Sequence, residues 1–201
     1  TWMIEGNRNK DAVFMISELA RLFRISLSKG KTIIRIEDEL QHCRSYMNIQ
    51  KYRYRERFSV QYDIQEEIYS YCTVKLILQP ILENAIYYGV GDMDEDDDPL
   101  IVVRGYKKED DIYLCVEDNG MGMREEDVRN ILTDNQKVPK HGSGVGLINV
   151  HTRIQLMFGE QYGLHVESEA DEGTSVTVHL PAIPFTRENC EVLEKANIGK
   201  E

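Results

Sequence analysis

Ile112-Tyr113-Leu114-Cys115-Val116-Glu117-Asp118-Asn119-Gly120-Met121-Gly122 alternates apolar and polar residues up to Val116, then ends in acids and two spaced glycines. Ile112, Leu114 and Val116 fall on one face of a half-buried strand. An acid at a strand end, followed by alternate glycines, lets the backbone turn sharply and sets a carboxylate at the mouth of a sheet. A plain Asp-Asn-Gly turn would read the same way in isolation.

Similar alternation lies on both sides of this run. Phe58, Val60, Tyr62 and Ile64 form one strand pattern, and Leu100 to Val103 another. Leu164 with Val166, then Val176, Val178 and Leu180, close the series. Helical spacing marks Ile16, Leu19, Ala20, Phe23 and Leu27, then Ile36, Leu40, Cys43 and Met47 beyond Gly30, two helices that can form a hairpin. A third helix opens near Pro80, carries Ile81, Leu82, Ala85 and Ile86, and is expected to stop at Gly89. Arg124 to Leu132 reads as a short helix, and Leu147, Val150, Ile154 and Met157 as a longer one. Neighbouring antiparallel strands with helices grouped elsewhere predict an α+β, two-layer α/β sandwich rather than a doubly wound parallel sheet. The expected organisation is a helical region over 1–57, the sandwich domain over 58–184 and a polar tail over 185–201.

The 201 residues carry 24 basic and 35 acidic side chains, a net charge of −11, which argues against nucleic acid or an anionic membrane surface as partner. A hydrophobic content of 41% is enough for a core. No apolar run approaches the roughly 18 residues of a membrane span, and no signal-like start is present. Cys43, Cys72, Cys115 and Cys190 are scattered without a C-x-x-C pair, as expected of reduced thiols in a cytoplasmic chain. The acidic run from Asp92 to Asp98 lacks the spacing of a calcium loop and reads as a solvated loop. His42, His141, His151, His165 and His179 have neither metal-ligand spacing nor a nucleophile partner. Tyr52 to Phe58, rich in tyrosine and arginine, reads as a helix end packing on the next domain.

Four short motifs carry the chemistry. Glu83-Asn84-Ala85 places a poor helix former within an apolar helix, with Tyr88 on the face of Asn84. An ionised Asp118 accepts hydrogen bonds and can read an exocyclic amine such as that of adenine, a charge-assisted bond contributing roughly 1.5–3 kcal/mol. Gly142-Ser143-Gly144-Val145-Gly146-Leu147 leads into a helix, where backbone N–H groups can approach a phosphate, yet its spacing fits neither a P-loop nor a Rossmann fingerprint. Gly173-Thr174 opens the last strand.

In this order the motifs resemble the N, G1, G2 and G3 boxes of the GHKL superfamily, which includes gyrase, Hsp90, MutL and sensor histidine kinases. Leu78-Gln79-Pro80-Ile81-Leu82-Glu83-Asn84-Ala85-Ile86 is similar to the L-Q-P-L-V-E-N-A-I signature of LytS/YesM-type sensor histidine kinases. Leu19 to Arg24 and Tyr46 to Arg53 resemble that family's linker helices, so the likeness runs from about Trp2 to Pro181.

The resemblance implies a GHKL (Bergerat) ATP site with a mixed, mostly antiparallel sheet and helices on one face. Glu83 and Asn84 would be catalytic, Asn84 giving its oxygen to Mg²⁺, a hard cation that bridges phosphates. Asp118 would read the adenine amine with Thr174 beside it, and Gly120, Gly122 and Met123 would line the base. Gly142, Gly144, Val145, Gly146 and Leu147 would belong to a phosphate-covering lid, with 125–141 ordering on nucleotide. The family often has Lys-His after N-A-I; Tyr87 and Tyr88 stand here, so a phosphate or ribose contact from that turn must use a phenol.

The implied activity is transfer of the ATP γ-phosphoryl group to a histidine, for relay to a response regulator aspartate. The acceptor is expected upstream of Thr1, because none of the five histidines has the family's acceptor context. A homodimer is expected of the full-length protein, with membrane contact only through segments outside this chain. Two alternatives are a GHKL ATPase acting as a conformational clamp and a non-catalytic nucleotide-binding module. Clamp ATPases carry a water-activating Glu four residues before the Mg-binding Asn, and Pro80 occupies that position. The intact Asn84, Asp118 and glycines weigh against the second alternative.

Overall fold

The computed structural model describes residues 9–27, 30–91, 93–132 and 143–198. Along the chain run α1 (Asn9–Leu27), β1 (Ile33–Arg35), α2 (Ile36–Arg53), β2 (Ser59–Ile64), β3 (Cys72–Val74), α3 (Leu78–Asn84), β4 (Leu100–Lys108), β5 (Asp111–Asp118), α4 (Glu125–Asn130), α5 (Ser143–Phe158), β6 (Gly163–Glu169), β7 (Gly173–Pro181) and α6 (Arg187–Ile198). Five strands form one mixed sheet in the order β2-β4-β5-β7-β6. Only β2 and β4 are parallel, as expected where the connection between them passes through a helix; the other pairs are antiparallel.

Alternation decides the sheet's two faces. Ile101, Val103, Ile112, Leu114, Val116, Val176, Val178 and Leu180 turn inward, into one cluster with Leu40 and Met47 of α2, Ile81 and Leu82 of α3, Ile86 just after it, and Leu147, Val150 and Ile154 of α5. Each such side chain contributes roughly 1.5–3 kcal/mol when fully buried. On the other face Tyr106, Tyr113 and His179 stack in a row, with centroids 5.3 and 4.9 Å apart. This is the two-layer α+β sandwich that the pattern predicts, with the mixed, mostly antiparallel sheet that the resemblance implies.

Several elements differ from the sequence reading. β1 and β3, three residues each, pair antiparallel and dock α2 against the domain. The core therefore crosses residue 57, since Ile36, Leu40, Cys43 and Met47 share one cluster with the sheet. α1 packs on α2 through Glu18, Leu22 and Ile25. The apolar series read for that packing, Ile16, Leu19, Phe23 and Leu27, is exposed instead. Apolar side chains thus occupy two sides of α1, and spacing alone does not say which side the partner covers. The predicted tail contains α6, whose Glu194 Oε1 accepts the backbone N–H groups of Thr32 and Ile33 at 2.7 and 2.8 Å.

The third helix starts at Leu78, so Pro80 lies in its first turn, where a missing N–H leaves nothing unpaired. Its first amides are held by Glu39, a fully buried carboxylate on α2 that accepts from Leu76, Ile77 and Leu78 at 2.8, 2.8 and 2.9 Å. Gly89 does not end this helix. From Ala85 to Val90 the chain widens into a π-helical turn, closed by Gly91 N–H donating to Ile86 O at 2.7 Å. Such turns occur mostly at functional sites.

Candidate functional site

Asp118 is the last residue of β5, paired across the ladder with Thr174 of β7 and Ile101 of β4. Its Oδ1 accepts the Gly120 N–H at 3.0 Å. Burial pushes its carboxyl up to about 6, while the backbone N–H groups of Gly120 and Thr174 pull it down. The carboxylate is thus a partly desolvated acceptor facing the end of the sheet.

The surrounding backbone is packed too closely for side chains. A Cβ on Gly120 would fall 2.3 Å from the Gly89 Cα, and one on Gly89 would fall 2.6 Å from Asp118 Oδ1. Gly89 therefore lets the π turn of α3 close on the D-N-G loop. Gly173, at φ +115°, would carry a Cβ 2.0 Å from the Asp118 carbonyl oxygen, so β7 can begin beside Asp118 only with glycine there. Asn119 ties the loop to β4: its Oδ1 accepts from Leu100 N–H at 2.7 Å and its Nδ2 donates to Asp98 O at 3.1 Å.

Ser168 of β6, which no sequence motif marks, connects the strands around Thr174. Its hydroxyl donates to Gly173 O at 2.7 Å and accepts from Met123 N–H at 2.8 Å. A hydroxyl has one proton, so the 2.9 Å contact between the Ser168 and Thr174 oxygens requires Thr174 to donate. Thr174 is then left with acceptor capacity only. Asp118 and Thr174 thus form a pair of acceptors, suited to a ligand that donates N–H groups.

Asn84 is the last residue of the α-helical part of α3, half-buried, at the start of the π turn. Glu83 accepts from Gln79 Nε2 at 2.8 Å. Tyr87 and Tyr88 are exposed, and the Tyr87 hydroxyl accepts from Arg53 Nη1 at 3.0 Å. Of the glycine-rich motif, Gly144 and Val145 lie in the first turn of α5, with Val145 exposed. Gly146 faces Pro80, where a Cβ would stand 3.3 Å from the proline Cβ. Leu147 is buried in the core, and Gly142 lies outside the described residues, as do 133–141 of the expected lid. A groove of about 600 Å³ runs between α3 and α5, lined by Pro80, Gly146, Asn149 and Arg153 among others and reaching neither Asn84 nor Asp118.

The described histidines have structural partners. His42 is buried with Nε2 3.3 Å from Ser26 Oγ, His151 Nδ1 accepts Leu164 N–H at 3.0 Å, His179 lies 3.1 Å from Asp111, and His165 lies 3.4 Å from Glu167. His141 lies outside the described residues.

A carboxylate at a strand end, closed in by glycines and facing an asparagine-bearing helix, belongs to the stretch matched by the model of histidine kinase-, DNA gyrase B- and HSP90-like ATPases, residues 73–184. The chain belongs to that family. A further model, histidine kinase, matches residues 1–58. The chain is 35% identical over 180 residues to the sensor histidine kinase YesM of Bacillus subtilis, covering 90% of this chain and 29% of that protein. It is 29% identical over 170 residues to the sensor protein LytS of Bacillus anthracis, covering 83% and 28% respectively. These relatives bear out the LytS/YesM-type resemblance, and the chain spans less than a third of their length. Among solved structures, the catalytic domain of the histidine kinase ThkA superposes with a TM-score of 0.57 at 14% identity, covering 76% of this chain and 96% of that one. That likeness shows the same fold for this histidine kinase-, gyrase B- and HSP90-like ATPase domain. Among the described residues no helix is long and apolar enough to cross a membrane.

Proposed function

We propose that this chain is the Mg²⁺- and ATP-binding catalytic portion of a two-component sensor histidine kinase. The observation that carries the reading is the acceptor pair of Asp118 and Thr174 at the sheet mouth, beside the π turn that follows Asn84. Adenine offers an exocyclic amine with two N–H donors, which the pair can take up; a guanine carbonyl in that place would face two acceptors and be rejected. The side-chain oxygen of Asn84 is of the hard type that Mg²⁺ prefers, and the metal, when bound, would neutralise phosphate charge. Phosphoryl transfer needs little covalent chemistry from the protein, so the residues here bind, orient and exclude water. Glu83, one residue before Asn84, remains the candidate for orienting the acceptor.

The acceptor in this reading is a histidine outside the chain, because none of the five histidines here has the acceptor context of the family that the chain resembles. The relay partner is a response regulator aspartate. Two copies would pair through the exposed stripe of α1, and the domain would work in the cytoplasm, with any membrane anchor supplied by other segments. Calorimetric titration with ATP, with and without Mg²⁺, tests the site. Asp118→Ala is expected to weaken binding about ten- to a hundredfold, the effect of roughly 1.5–3 kcal/mol of charge-assisted bonding. Equal affinity in the variant would reject the assignment.

A further inference from the structure

The helix that carries Asn84 has no cation of its own. From Leu78 to Gly91 there is no lysine, arginine or histidine, and the next residues include Asp92, Asp94, Asp96, Asp97 and Asp98. A nucleotide triphosphate placed beside this turn would meet Glu83 and an acidic loop, and one metal ion would not balance its charge.

The C-terminus of α2 supplies what is missing. Arg53, its last residue, projects to α3 and donates from Nη1 to the Tyr87 hydroxyl at 3.0 Å, with its guanidinium carbon 5.7 Å from the centroid of the Tyr54 ring. Among the described residues no carboxylate is paired with it. Two phenols therefore hold the group in place without neutralising it. Tyr87 lies in the π turn that follows Asn84, so its bond to Arg53 brings the guanidinium to the turn that Asn84 opens. A guanidinium has five N–H donors in a planar fork, and the Tyr87 bond uses one. The rest can take a phosphate through two parallel bonds.

Resting on the nucleotide reading above, we propose that Arg53 is a phosphate-binding residue of this site and that Tyr87 is its positioning residue. The phenol at position 87 does not contact phosphate as a weak substitute for lysine; it anchors a cation delivered from the preceding helix. The ligand class is a nucleoside di- or triphosphate, recognised at its phosphate end.

The test is calorimetry of the whole chain with Mg-ATP, Mg-ADP and adenosine, for the parent and for Arg53→Ala, Arg53→Lys, Tyr87→Phe and Arg44→Ala. Arg44 is another exposed arginine of α2, seated over Tyr62 at 4.2 Å, and serves as the control. Arg53→Ala is expected to lose about tenfold or more in ATP affinity, less in ADP affinity and none in adenosine affinity. Arg53→Lys should recover part of the loss, Tyr87→Phe should lose about threefold, and Arg44→Ala nothing. If the parent binds ATP and Arg53→Ala binds it as tightly, or if the loss is equal for adenosine, the proposal is overturned while the nucleotide reading stands. If the parent binds no ATP, the nucleotide reading fails and this proposal with it.

Discussion

The buried carboxylate of Glu39 accepts the backbone N–H of Leu78 at 2.9 Å, so the helix bearing Asn84 starts on a side chain of α2. Burial raises the Glu39 carboxyl above its usual range, against the pull of the Leu78, Leu76 and Ile77 amides and of the Arg153 guanidinium. Removing it leaves three amides unpaired inside the protein. Glu39→Ala is expected to lower unfolding stability by at least about 3 kcal/mol, read from urea denaturation, with Glu39→Gln losing less.

Asp118 gives a pH signature with two opposite arms. Its folded-state value of about 6 lies above that of an unfolded aspartate, about 3.9. Between these values the folded chain holds a proton that the unfolded chain has released, so stability falls as pH rises through that window. Nucleotide affinity moves the other way, strengthening from about pH 5 to about pH 7 as the carboxylate ionises. Melting temperature and adenosine affinity across this range should therefore run in opposite directions, and Asp118→Asn should remove both dependences.

Gly120→Ala should separate the D-N-G loop from α3. Its Cβ meets backbone rather than a side chain, so no rotamer change relieves the clash. Overpacking of this kind costs about 1–3 kcal/mol, and nucleotide affinity should drop with stability because Asp118 and the turn after Asn84 are pushed apart. Paired calorimetry and urea unfolding would show both losses; unchanged values would mean the contact is not maintained in solution.

Self-labelling should be negligible. Incubated with ATP labelled at the γ position, the 201-residue chain is expected to stay unlabelled, because none of its five histidines has the acceptor context of the family it resembles. A longer chain that carries the acceptor should gain an acid-labile, base-stable label. Robust label on any of the five histidines of this chain would count against an external acceptor.

Elements with long, one-sided patterns were legible in the sequence. β5 and β7 alternate over eight and nine residues, and α5 keeps Leu147, Val150 and Ile154 in helical step, so their burial follows from composition alone. β1 and β3 have three residues each, too few for a period to register. α6 is polar apart from a few positions and, among the described residues, buries only Leu193, which resembles a tail until the β1 amides it caps are seen. Asp118, Asn84 and the glycines were found because motif order marks them. Ser168, Glu39 and Arg53 were not, since each acts through a partner set by the tertiary fold: the carbonyl of Gly173, the amides before α3 and the hydroxyl of Tyr87.

The Glu194 contact bears on how the protein can be dissected. A chain cut to the matched ATPase stretch, 73–184, would retain every motif yet lose β1, α2 and the helix that fastens them. Glu39 would go with α2, leaving the amides at the start of α3 bare, and the apolar surface under Leu40, Cys43 and Met47 would open to water. A piece that keeps these contacts must therefore run from before Thr32 to beyond Glu194, its two ends joined by one carboxylate.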